Sequence, residues 1–130
     1  MGPRVHDMQL RVIVDVILKV RAGAYSFEAA NPRHEHEWRV WEREKLPEDA
    51  VLIPGVITQS TVMVEHPELV AERIQRFASV VGRENVIAGA DCGFASFAGS
   101  TEIHPSVVWA KLQALVDGAR IASLRLWGRG

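Results

Sequence analysis

Apolar runs alternate along the chain with helical patterns, and this alternation predicts the order of the elements. Residues 10–20 carry a polar residue at every fourth position (Arg11, Asp15 and Lys19), so we predict a helix rather than a strand, buried on nearly all its other faces. The short aromatic run at 24–29 predicts the first strand. A polar turn from 31 then opens a charged amphipathic stretch, with Trp38 and Trp41 on its buried side.

Two further apolar runs predict buried strands, each followed by a helix. The strand at 51–57 contains Pro54 and Gly55, which indicate a bulge or bend, and the third strand covers 86–90. Prolines stand at the first position of both following helices. The expected caps are His66 or Glu65 for the first of these helices and His104 or Glu102 for the second.

Both of these helices have an apolar face at helical spacing. The face of the first consists of Val70, Ile74, Phe77 and Val81, and that of the second of Val108, Leu112, Leu115, Ala119, Ala122 and Leu126. The second helix therefore continues through Gly118. Three continuous apolar strands alternating with four helices predict an α/β protein with a parallel sheet, either a small open layer or a piece of a larger α/β fold.

Polar residues follow every predicted strand, where parallel sheets place their binding sites. They are Glu28, Asn31, Arg33, His34 and His36 after the first strand, Thr58, Gln59 and Ser60 after the second, and Asp91 and Cys92 after the third. This coincidence of three polar strand exits predicts a site at the carboxyl edge of the sheet.

Several of these residues have both a chemical and a structural interpretation. Cys92 is either a small buried residue or, past its strand end, a nucleophile or zinc ligand. Glu28 lies in an apolar segment, where a carboxylate is costly unless it is paired or bound to metal. His34 and His36 form a metal pair if the chain is extended there, and a solvated turn if a helix begins there. His6 belongs to the surface of a frayed terminus.

Composition and charge limit the classes of function. At 130 residues, 48% of them hydrophobic and 24% charged, the chain has the make-up of one globular domain. A net charge of −1 offers no basic surface for nucleic acid or an anionic membrane.

There is no apolar run of membrane-spanning length and no secretory signal pattern, so we expect no membrane association. A single cysteine forbids an intrachain disulfide, and we expect a cytoplasmic protein.

Three segments carry a family resemblance. SFEAANPRHEHEW (26–38), VIAGADCGFASFAG (86–99) and PSVVWAKLQALVDGARIAS (105–123) resemble the cobalamin-independent methionine synthase-like family, in particular its short bacterial members made of the C-terminal catalytic barrel. The resemblance implies a partial (β/α)8 TIM barrel, since 130 residues are too few for eight units. Residues 1–130 are then a single C-terminal fragment, the last three βα units.

The same resemblance implies a zinc site at the barrel mouth. The family's ligands are a His-x-Cys pair, a glutamate that matches Glu28 and a cysteine that matches Cys92. The His-x-Cys pair is expected upstream of the first helix, and His6 does not replace it because no cysteine lies two residues later. Whether His34 or His36 substitutes stays open. Two ligands of four predict weak or absent Zn²⁺ in the isolated chain.

The implied activity is transfer of a methyl or other alkyl group from a donor to a thiol such as homocysteine, incomplete in this chain alone. The alternative is a non-catalytic truncated α/β module that self-associates, because open sheet edges and an apolar inner face need covering. Either way we expect a homo-oligomer. A decarboxylase of the same superfamily is a third and weaker option, since its substrate-binding arginines would lie outside this chain.

Overall fold

The computed structural model describes residues 6–95, 99 and 103–129. Glu102, the alternative helix cap, and the motif positions 96–98 lie outside the described residues. In chain order the elements are helix α1 (Leu10–Ile17), strand β1 (Ala24–Phe27), a 3-10 helix (Glu35–Glu42), strand β2 (Val51–Ile57), helix α2 (Pro67–Val81), a short 3-10 turn (Arg83–Asn85), strand β3 (Gly89–Ala90) and helix α3 (Pro105–Trp127).

The three strands form one parallel sheet in the order β1-β2-β3. Ala24 pairs with Val51 at the start of the β1–β2 ladder. The β2–β3 ladder changes register between Gly55 and Ile57, which confirms the irregularity predicted there. β3 is shorter than expected, although a bridge from Val86 to β2 extends the pairing. The predicted α/β class, with three parallel strands among helices in an open sheet, is confirmed.

Two apolar clusters share helix α2 as their common wall. Phe77 packs in one of them with Trp41 and with buried residues of α1, β1 and β2. Val70 and Ile74 pack in the other with the end of β2 and with α3. Trp38 lies partly buried against the first cluster, as its position in the amphipathic stretch predicts. Helix α2 therefore contributes to both clusters, through Phe77 to the first and through Val70 and Ile74 to the second.

The helix starts follow from local sequence. The His66 side chain accepts a hydrogen bond from the Glu68 amide at 3.0 Å, and the His104 side chain accepts one from the Ser106 amide at 3.1 Å. Each histidine satisfies one amide that the first turn of the helix leaves unpaired. The predicted capping role of both histidines is confirmed.

Helix α1 departs from expectation. Leu10 and Val14 are buried, but Val12, Val16 and the following Val20 are each more than half exposed. The prediction of a helix buried nearly all round was wrong, because among the described elements α1 has packing partners on one side only. The face that carries Val12 and Val16 is therefore exposed, although it is apolar.

Candidate functional site

Asp91 joins the exits of β1 and β3 at the carboxyl edge of the sheet. Its Oδ1 accepts hydrogen bonds from the amides of Ala29 at 2.8 Å and Ala30 at 2.9 Å. Its Oδ2 accepts one from Asn31 Nδ2 at 2.9 Å, and Asn31 is fully buried. The Asp91 amide in turn donates to the carbonyl of Ile57 at the end of β2. One carboxylate thus ties together the loops that carry Glu28 and Cys92.

Glu28 is paired at this edge. Its carboxylate accepts a hydrogen bond from Asn31 Nδ2 at 3.2 Å. It also lies 4.0 Å from Arg33 Nη2 and 3.9 Å from His34 Nε2. The cost of placing a carboxylate after an apolar strand is therefore offset by neighbouring donors and positive charge.

His34 lies between two further carboxylates. Its Nδ1 contacts a carboxylate oxygen of Glu37, and its Nε2 lies 3.1 Å from Asp7 Oδ2, which also accepts from Arg33 Nε at 2.8 Å. Burial lowers the pKa of His34, but the hydrogen bonds and negative charges of Glu37 and Asp7 raise it by more, so the net pKa is raised. The imidazolium form can donate from both ring nitrogens.

Asp7, Glu28 and His34 form one group with metal-ligand chemistry. Their candidate ligand atoms all lie within 4.8 Å of one another. Sequence reasoning missed Asp7 because it precedes α1 and meets His34 across 27 positions of the chain, a separation that no local pattern carries.

His36 does not join this group. It is exposed, and it lies within the 3-10 helix that begins at Glu35. The extended conformation that a His34–His36 metal pair needs is absent here, since residues two apart on a helix do not face each other. The alternative of a metal pair was therefore wrong.

Cys92 is exposed. The interpretation of a small buried residue was wrong, because its position after Asp91 takes it past the covered part of the sheet. Within the described ranges it does not enter a group of three possible metal ligands. Cys92 thus directly follows Asp91 in the chain, and it is accessible.

The exit of β2 contains a buried ion pair that the sequence pattern did not indicate. Lys111 of α3 is fully buried, and its Nζ lies 2.9 Å from Glu65 Oε1 and 2.8 Å from the carbonyl of Met63. Glu65 Oε2 accepts from the amide of Thr58 at 2.7 Å. The neighbouring Gln59 is buried, and its amide atoms have no hydrogen-bond partner within the described part of the chain.

No helix among the described residues is long and apolar enough to cross a membrane.

The fold can be compared with that of a solved structure. The fold is similar to a B12-independent methionine synthase from Shewanella sp. W3-18-1 in complex with selenomethionine, with a TM-score of 0.71 and 23% sequence identity. The match covers 87% of this chain and 30% of that chain, so this chain spans less than a third of the length of its structural neighbour. No family model matches the chain, and no curated protein matches it. The likeness shows the fold alone, an open parallel α/β arrangement like part of a TIM barrel.

Proposed function

We propose that residues 1–130 are a single C-terminal fragment of a methionine synthase-like barrel and form its last three βα units. In this proposal the complete barrel is a zinc-dependent transferase, which moves a methyl or other alkyl group to a homocysteine-like thiol. The observation that carries it is the set of Asp91 hydrogen bonds at the carboxyl edge, which join the loop after Glu28 to the loop that holds Cys92. The fold likeness to a methionine synthase supports the same assignment.

Glu28 and Cys92 are the proposed zinc ligands. A carboxylate and a thiolate are both zinc donors, so the residues present fit half of a four-coordinate site. When bound, zinc supplies a Lewis acid that keeps an acceptor thiol deprotonated at neutral pH. Asn31 orients the Glu28 carboxylate through its 3.2 Å hydrogen bond, and Asp91 holds the two loops together.

The family's His-x-Cys pair would have to come from outside these 130 residues, whose single cysteine is Cys92. We therefore infer that the isolated chain binds zinc weakly and is inactive until another segment or chain completes the site. The determinants for the alkyl donor and the acceptor thiol are assigned to that same missing part. A thiolate site also requires a reducing compartment, in accordance with the proposed cytoplasmic location.

Cobalt binding tests the proposed ligand pair even when the site is weak, because Co²⁺ takes zinc geometries and absorbs strongly when bound to thiolate. Titration of the purified chain with Co²⁺ is expected to give a near-ultraviolet thiolate band. Cys92→Ser is expected to abolish the band, and Glu28→Gln to move the titration to higher cobalt concentration. Glu72→Gln on the exposed face of α2 is the matched control and should leave the titration unchanged. Absence of the band at millimolar cobalt, or a Glu28→Gln titration that equals the wild-type one, would refute the ligand pair.

A second function has its own observation, the open apolar face of α1. Met8, Val12, Val16 and Val20 lie at intervals of four residues and are each more than half exposed. Among the described strands β1 pairs with β2 alone, so one side of β1 also lacks a partner. Both features favour a non-catalytic module that buries them against a second copy of itself.

Light scattering coupled to size exclusion tests self-association. The expected result is a mass that is a multiple of the 14.4 kDa chain and that falls to the monomer value in Val12→Lys/Val16→Lys. Asp15→Lys, on the polar stripe of the same helix, makes the same change in net charge outside the apolar face and should keep the oligomer. A wild-type monomer at high protein concentration would exclude the module.

A further inference from the structure

Three arginine side chains line one groove on the surface of the protein. It lies between the 3-10 helix and α2, has a volume of about 500 Å³, and is lined by Arg39, Arg73, Arg76, Glu35, His36 and Trp38 among others. Its lining does not include Glu28, Cys92 or the other members of the Asp7, Glu28 and His34 group. The groove is therefore a separate feature from the proposed zinc site.

Two of its guanidinium groups are held in place. Arg73 donates from Nη1 to the carbonyl of Val56 at 3.1 Å and from Nη2 to Glu35 at 3.4 Å, and its side chain is only 11% exposed. The Arg39 guanidinium lies 5.0 Å from the centre of the Trp38 ring. Holding cations in position before a ligand arrives reduces the entropy lost on binding.

Arg76 adds a third guanidinium one turn after Arg73. It is exposed, and within the described ranges its guanidinium has no hydrogen-bond or ion-pair partner. Three arginines and one glutamate line the groove, so the arginines exceed the carboxylate by two positive charges. Because the whole chain has a net charge of −1, this surplus is local and not a property of the overall composition.

We propose that this groove binds a phosphomonoester. Two surplus positive charges match a phosphate dianion, and guanidinium groups pair with phosphate oxygens through two parallel hydrogen bonds. The exposed Arg39 and Arg76 contact the phosphate, Arg73 contributes fixed charge behind them, and the Trp38 ring supplies an apolar surface for the organic part of the ligand. Dicarboxylates share the negative charge but not the tetrahedral arrangement of oxygens.

Calorimetric titration of the full chain with phenyl phosphate, inorganic phosphate and glutarate tests the proposal. Phenyl phosphate is expected to bind more tightly than inorganic phosphate, and both more tightly than glutarate. Arg39→Gln and Arg76→Gln are each expected to weaken phenyl phosphate binding at least about tenfold, because each removes a guanidinium that pairs with the phosphate oxygens. Neither side chain is buried, so both variants should fold, which circular dichroism can verify.

Arg120→Gln on α3 is the matched control, since Arg120 is also exposed and lies outside the groove. It should leave the affinity unchanged. An equal loss in Arg120→Gln would show general attraction of anions and would overturn the site. Absence of binding at millimolar phenyl phosphate would do the same, and glutarate binding as tightly as phenyl phosphate would overturn the phosphate assignment.

Discussion

Gly55 and Asp91 lie in such close contact that only a hydrogen atom fits between them. A Cβ placed on Gly55 would stand 1.9 Å from Asp91 Oδ1 and 2.7 Å from Asp91 Cα. Because Gly55 has no side chain, the Asp91 carboxylate can reach the amides of Ala29 and Ala30. A glycine in the middle strand thus supports the geometry of the candidate site.

Gly55→Ala is expected to destabilise the protein by about 1 to 3 kcal/mol, the usual cost of forcing an extra carbon into a packed region. The clash is with backbone as well as side-chain atoms of Asp91, so relaxation must separate the strand exits. Urea unfolding followed by circular dichroism measures the change. Gly23→Ala is the control, because nothing lies within 4 Å of its added Cβ, and it should stay near the wild-type value. A Gly55→Ala variant as stable as Gly23→Ala would contradict the contact.

Gly118 plays a comparable part where α2 and α3 cross. A Cβ there would lie 2.4 Å from Val70 Cβ and 2.9 Å from the carbonyl of Pro67. Gly118→Ala should gain up to about 1 kcal/mol in helix propensity and still lose stability overall through the clash, by about 1 to 3 kcal/mol.

A double-mutant cycle with Val70→Ala provides the check on Gly118. Val70→Ala removes the γ-methyl carbons but leaves Val70 Cβ and the carbonyl of Pro67 in place, so it should relieve part of the loss. The double variant should then lose less free energy of unfolding than the sum of the losses in the two single variants. Additive values would contradict a contribution of the Val70 γ-methyl carbons to the clash.

Lys111→Met is expected to cost about 3 to 5 kcal/mol, because it leaves the Glu65 carboxylate buried without its cation. Glu65→Gln in the Lys111→Met background should recover part of that loss, since a glutamine oxygen can still accept from the Thr58 amide. Chemical unfolding of the two variants and the wild type measures both steps. If the double variant is no more stable than Lys111→Met, the buried charge is not the cause of the loss.

His34 predicts a pH dependence of stability. Its pKa in the folded chain is raised above the ordinary value of 6.5, so the folded state binds this proton more tightly than the unfolded state does. The stabilising contribution is therefore complete below about pH 6.5 and is lost as pH rises through the raised pKa. The groups that face the ring are Asp7, Glu28 and Glu37.

Urea unfolding of metal-free protein at a series of pH values measures this dependence. The difference in stability between wild type and His34→Gln should shrink as pH rises above about 6.5 and through the raised pKa of His34. His36→Gln is the matched control and should keep the wild-type profile, because it leaves the contacts of His34 in place. A wild-type profile parallel to that of His34→Gln would contradict the prediction.

Contacts between near neighbours in the chain were predictable, and contacts between distant residues were not. His66 and His104 cap helices through amides two residues away, so a local pattern contains the whole interaction. The carboxyl ends of parallel strands lie on one edge of their sheet. For that reason Glu28 and Cys92 could be predicted, from the sequence, to lie at the same edge. Their role as zinc ligands stays a prediction.

Asp7 and Lys111 make contacts that could not be predicted from the sequence. Asp7 meets His34 across 27 positions, and Lys111 meets Glu65 across 46. A lysine beside an apolar helix face has the same pattern whether its end reaches water or a buried carboxylate. The α1 error has the same origin, since hydrophobic spacing indicates that a face can be buried but not that a partner is present.

The sequence alone determined the order of helices and strands, the parallel sheet, the helix caps and the three polar strand exits, because these depend on residue preferences and on spacing over a few positions. The tertiary structure decided which of those residues meet. It brought Asp91 against the loop after Glu28, paired His34 with Asp7, buried Lys111 and left one face of α1 open. These outcomes depend on how close the helices and strands approach, and at Gly55 and Gly118 that approach is set by the space of a single missing Cβ.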